Sequence, residues 1–178
     1  MRILVCAALL AVVTLCGCSA DPQSAGDVVS AGSKAASDIN ARDHEGFTPL
    51  MRAVKENNAE EVRRLLGEGA DPNIATESGV TPLMIAAGMG RTELMKELIE
   101  KGADANARTA GNYTALMSAA LNGQAETVKL LLDAGADPSI EDNAKKTAAS
   151  YAKDKDHHQI VQLLEEAEAA GKRGGGKK

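Results

Sequence analysis

Two short motifs each return three times at a spacing of 33 residues, and no other feature constrains the fold of this chain as strongly. Gly46-Phe47-Thr48-Pro49-Leu50-Met51, Gly79-Val80-Thr81-Pro82-Leu83-Met84 and Asn112-Tyr113-Thr114-Ala115-Leu116-Met117 form one series. Gly69-Ala70-Asp71, Gly102-Ala103-Asp104 and Gly135-Ala136-Asp137 form the other, in register with the first. A fixed period of this length marks stacked units, each too poor in apolar surface to fold alone.

Each unit reads as two short helices. Thr48 and Thr81 are good N-caps, because a hydroxyl can accept from an orphan backbone N–H, and Pro49 and Pro82 suit the first helical turn. Leu50, Ala53 and Val54 then share one helical face. Asn57-Asn58, Gly90 and Gly123 break the first helices, since Asn and Gly tolerate positive φ. Val62, Leu65 and Leu66 form the apolar stripe of a second helix, repeated as Met95, Leu98, Ile99 and as Val128, Leu131, Leu132. Gly69, Gly102 and Gly135 stand where a helix-ending C′ glycine belongs. The Ala-Asp segments that follow read as loops projecting as hairpins. Ala53, Ala86, Ala119 and Ala152 share one position, where a small side chain lets neighbouring helix pairs approach closely.

Terminal units of such a stack should be atypical. The fourth unit keeps Thr147, Ala152, Val161 and Leu164 but carries Lys145, Ala149, Lys153 and Glu165 at motif positions, a polar replacement suited to a C-terminal cap. Leu164, lacking an outer neighbour, is expected to contribute less than Leu131. Asp38-Ile39-Asn40-Ala41 reads as the tail of a further unit, and Asp27 to Ala36 as either a degraded cap helix or linker.

Period and motifs together resemble the ankyrin repeat, over Asp38 to about Ala170. The resemblance implies an all-α solenoid of stacked helix pairs and a non-catalytic role in binding another protein. It also implies a concave binding surface made of the hairpin tips and first helices. Mapped onto this chain, that surface takes Glu45 and Phe47, Glu77 and Val80, Tyr113, and Lys146 from the tips, with Met89 and Leu121 from the first helices. Phe47 and Tyr113 account for two of only three aromatic residues in the chain. Their side chains either anchor a partner or lie across the neighbouring hairpin. One departure from the family pattern is Met51, Met84 and Met117 where a His is common; Met can only pack, so the turns are expected to lean on apolar contact.

The first residues carry a separate message. After Met1-Arg2, the run Ile3 to Leu15 is almost wholly apolar but shorter than the roughly 20 residues of a bilayer-spanning helix. It reads as a secretory signal. Leu15-Cys16-Gly17-Cys18 resembles the bacterial lipobox, which implies cleavage after Gly17 and a diacylglyceryl group on Cys18. Two acyl chains satisfy the requirement for stable anchoring. Ser19 after the Cys implies, by the same resemblance, the outer membrane facing the periplasm if the source is Gram-negative. The expected organisation is a signal at 1–17, a lipidated tether at 18–37, repeats at 38–170 and a basic flexible tail at 171–178. Cys6 and Cys16 leave with the signal, so no pair remains for a disulfide or for zinc.

Setting aside Arg2 and the four tail cations leaves 15 Lys and Arg against 25 Asp and Glu, a body of about −10 that repels nucleic acid. No Ser/His/Asp arrangement, phosphate loop or cofactor motif is present, so neither a reaction nor a small-molecule substrate is expected. His157-His158 lacks a third ligand for a metal site. Within the binding class, three roles stay open: a scaffold near the membrane, an immunity-type inhibitor of a secreted toxin, or an accessory factor of a periplasmic enzyme in envelope stress. A metal or ligand carrier is the remaining class.

Overall fold

The computed structural model describes residues 38–174. The expected signal segment, Cys18 and the stretch to residue 37 lie outside them. Eight helices and no strands make up the described residues: α1 (Pro49–Lys55), α2 (Ala59–Gly67), α3 (Pro82–Gly88), α4 (Thr92–Glu100), α5 (Ala115–Leu121), α6 (Ala125–Asp133), α7 (Ala148–Asp154) and α8 (His158–Gly174). Odd-numbered helices pack on one another in one row, even-numbered helices in a second, and each odd helix packs on the even helix that follows it. The result is the all-α repeat solenoid that the period predicts. α8 runs to Gly174, beyond residue 170 where the flexible tail was expected to begin. Ala167, Ala169 and Ala170 have high helix propensity, and no breaker intervenes before Gly171.

Local chemistry repeats as faithfully as the sequence. The hydroxyls of Thr48, Thr81 and Thr114 each accept from the N–H three residues on, at 3.3 Å, and Thr147 does so at 3.4 Å within a capping box with Ser150. Each such cap contributes about 1 kcal/mol. At the far end of α1 through α7, a residue at positive φ carries the chain out of the helix. Its N–H and the next one bond back to the last turn, as Gly69 does to Leu66 and Ala70 to Leu65. Between repeats, a second ladder runs through the loops. Asn40, Asn73 and Asn106 accept from the N–H groups of Asp71, Asp104 and Asp137 at 2.8–3.0 Å. Asn40 thereby sets Asp38–Ala41 in the place of a preceding repeat's loop.

The core lies between the two rows. Ala53 is 3% exposed and Ala86, Ala119 and Ala152 are fully buried, so consecutive odd helices meet across a methyl group. The even helices bury a broader face than the three-residue stripe: Leu94 and Ile160, one position earlier, are also enclosed, while Ile99 and Leu132 are half-buried. In α8 the enclosed residue is Ile160, and Val161 is only partly covered. Thr127 occupies the same position in α6, and its buried hydroxyl has no partner among the described residues.

Both ends of the described stack are polar. Glu97 of α4 reaches back to Arg63 of α2 at 2.8 Å, which identifies its position as one facing the N-terminal neighbour. In α2 that position is Arg64, paired with Glu61 at 2.5 Å and Glu68 at 2.7 Å. At the other end Lys153 and Glu165, two of the polar replacements of the fourth unit, pair with each other at 2.7 Å. Charge thus stands where an apolar face would recruit further repeats.

Leu164 departs from expectation: it is 0% exposed, as is Leu131, because α7 and α6 enclose it without help from an outer repeat. Leu131→Ala and Leu164→Ala are therefore each expected to cost about 2–5 kcal/mol. Urea unfolding of both variants checks this; a Leu164 loss below half that at Leu131 would restore the weaker-end expectation.

Candidate functional site

The hairpin tips are built around one residue per repeat that sequence reasoning passed over. Asp43, Thr76, Thr109 and Asp142 each donate their N–H to the carbonyl four residues on and accept that residue's N–H on a side-chain oxygen, at 2.8–3.1 Å. The partners are Phe47, Val80, Tyr113 and Lys146. The missed signal was the 33-residue recurrence of Asp or Thr, short acceptors that close turns onto their own backbone. These bonds also correct the expectation from Met51, Met84 and Met117. The Met side chains are buried and pack, but the turns are tied by hydrogen bonds from a different residue.

Tips two, three and four are clipped together. Ala110 donates to the Ser78 carbonyl and Asn143 to the Gly111 carbonyl, both at 3.0 Å. The approach is close: a Cβ added at Gly79, which has φ +87°, would sit 2.7 Å from the Thr109 Cα. Among the described residues no equivalent bond joins Glu77 to Glu45. A cleft of about 360 Å³ opens there, lined by Asp43, His44, Glu45 and Glu77 among others.

Phe47, Val80, Tyr113 and Lys146 occupy one row along these tips, each half-buried. Phe47 lies beneath the Lys55 ammonium, 5.2 Å from the ring centroid. Tyr113 meets Tyr151 of the next repeat edge to face, with centroids 5.5 Å apart. Lys146 lies over the other side of that system, 5.6 Å from the Tyr151 ring, and pairs with Asp154 at 2.6 Å. Glu45 and Glu77 are exposed, Leu121 is half-buried, and Met89 is 43% exposed. Ile85, half-buried on α3 and not predicted, joins Val80, Met89, Tyr113 and Leu121 in the middle two repeats. Charge collects at the two ends of the face: Asp43, Glu45, Arg52 and Lys55 in the first repeat, Lys146 and Asp154 in the fourth.

The fourth tip holds a coupled tyrosine–carboxylate pair. The Tyr151 hydroxyl donates to Asp142 Oδ2 at 2.5 Å, while Lys146 and Ala144 N–H groups donate to Oδ1. This bond, with the backbone donors, holds the Asp142 carboxyl below the usual carboxylate range. Its contribution to stability is present above that range and is lost as pH falls through the lowered native value. The same bond pushes the Tyr151 hydroxyl up to about 12, and burial raises Tyr113. His157 is a packing residue: a Cβ at Gly123 would meet its ring at 2.8 Å. Among the described residues no three His, Cys, Asp or Glu side chains converge on a metal position.

Comparison with known families adds a decisive observation. The model of "Ankyrin repeats (3 copies)" matches residues 27–109, 50–142 and 108–173. The chain belongs to the ankyrin-repeat family. Comparison with curated proteins returns no match. Ankyrin repeats are generally protein–protein interaction modules and typically non-catalytic, and the tips and odd helices described above are the ankyrin elements that the eight predicted contact residues occupy.

The two tyrosines of this ankyrin chain provide an optical check. Phenolate absorbance in the native protein should rise above pH 10, the ordinary tyrosine value. Stability supplied by the Tyr151–Asp142 bond is complete below pH 10 and is lost as pH rises through about 12. Tyr151→Phe should leave a single, earlier titration from Tyr113; an ordinary tyrosine titration in the folded wild type would contradict the bond.

Proposed function

We propose that this chain is a non-catalytic binding module, held at the cell envelope by lipid on Cys18, that engages one partner protein through its tips and odd helices. The observation that carries the reading is the distribution of side chains on that face. Val80, Ile85, Met89, Tyr113 and Leu121 form an apolar middle, and charged residues gather in the first and fourth repeats. An apolar centre inside a polar rim is the anatomy of a protein interface. Aromatic side chains in such a centre bury large area at low entropic cost, and a flexible Met adapts to an irregular surface. Glu45, Glu77 and Lys146 supply orientation at the rim, where charge governs encounter and register more than affinity. The envelope location rests on Leu15-Cys16-Gly17-Cys18 at the end of the apolar run.

Cys18→Ala should abolish acylation and cleavage at this site, seen as a mass change and a loss of detergent partitioning. A wild-type mature protein that starts elsewhere, or carries no acyl group, would remove the anchor from the proposal while leaving the binding face untouched.

Affinity capture from solubilised envelope gives the partner against which the face is measured. Phe47→Ala and Met89→Ala should each weaken its retention by about 1–3 kcal/mol with little change in urea midpoint. Tyr113→Ala should lower affinity and stability together, because it also loses the Tyr151 ring. Glu166→Ala, exposed on α8, should change neither. Unchanged retention in Phe47→Ala and Met89→Ala would remove the face from the proposal.

A further inference from the structure

Five methionines fall within the described residues, and four of them are sealed in the core: Met51 and Met95 at 0%, Met117 at 1% and Met84 at 5% exposure. Met89 is different. It caps the C-terminus of α3 on the proposed binding face, and it is the exposed large hydrophobic residue there, at 43%. Its neighbour Gly88 has no side chain to lie over it. The Met89 N–H bonds to the Ile85 carbonyl at 3.2 Å, and its side chain stands outside the buried hydrophobic cluster.

We propose that Met89 is a selective oxidation site, at which a peroxide-class oxidant turns the apolar centre of the face polar. The thioether sulfur attacks one oxygen of hydrogen peroxide; the O–O bond breaks, an S–O bond forms, and the departing hydroxide takes the proton of the transferred hydroxyl and leaves as water. Sulfur is oxidised by two electrons and the peroxide is reduced by two. The product, a sulfoxide, is a strong hydrogen-bond acceptor and a poor apolar contact. Because no core packing depends on the Met89 side chain, the change leaves the solenoid folded while altering the surface a partner meets. Oxidation of Met84, Met95 or Met117 would instead disrupt the core. The significance of the switch for binding rests on the face assigned above; the selectivity of the chemistry does not.

Treating the native full-length protein with hydrogen peroxide and locating added oxygen by fragment-ion mapping tests the proposal directly. Met89 should gain oxygen at least roughly tenfold faster than Met51, Met84, Met95 and Met117, because attack requires access to sulfur. The singly oxidised protein should keep its urea midpoint and elute earlier from a hydrophobic-interaction column. Met89→Leu should abolish the change in retention. A rate gap under tenfold, or unchanged retention after oxidation, overturns the proposal. Those readouts need no partner, so they stand apart from the binding face itself. In envelope capture, oxidised protein that retains the partner as well as the reduced form would overturn the switch even if Met89 oxidises selectively.

Discussion

The spacing of the odd-helix row depends on a methyl group in each repeat. Ala53, Ala86, Ala119 and Ala152 stand where consecutive odd helices meet, and a larger side chain there would push neighbouring repeats apart. No repeat contains a core of its own. Leu65, Leu98, Leu131 and Leu164 are enclosed by adjoining helices, so the apolar burial that stabilises one unit is supplied partly by the next. The described residues contain no cysteine, so this stacking carries their stability. The orphan hydroxyl of Thr127 is the price of one imperfect position, in a place where Leu94 and Ile160 pack without such a loss.

That dependence leaves the tips free to vary. Thr caps, positive-φ helix exits and the Asn ladder satisfy backbone groups in the same way in successive repeats. The tip itself is tied by Asp43, Thr76, Thr109 or Asp142 through its own backbone. The residue at its end can therefore be Phe, Val, Tyr or Lys without changing the turn. Repetition builds the scaffold, and departures from repetition give each tip its own side chain.

The tips are also unequal in how firmly they are joined. Backbone bonds clip tips two, three and four, and the Tyr113–Tyr151 contact with Lys146 above it adds side-chain bonding between the last two. The first tip is held differently: Asp43 pairs with Arg52 of its own repeat, and Lys55 covers Phe47. A partner would thus meet a braced surface at the C-terminal end and a self-contained first hairpin, with an apolar middle between them.

The helix pairs, their caps and the order of repeats were legible in the sequence, because they follow from short-range rules applied at a fixed period. A hydroxyl before Pro, an Asn or Gly at a helix exit and apolar residues three and four apart each act within one helical turn. The tip keystones were equally periodic but were hidden by chemical variety, Asp in two repeats and Thr in two. Three features were decided only by tertiary structure: the full burial of Leu164, the stacking of Tyr113 on Tyr151, and the isolation of Met89 from the other methionines. Each depends on which side chain of a neighbouring repeat occupies the facing position, about 30 residues away in the chain. Periodicity assigns a residue to a face; only the packed neighbour determines whether that residue is enclosed, paired or left in solvent.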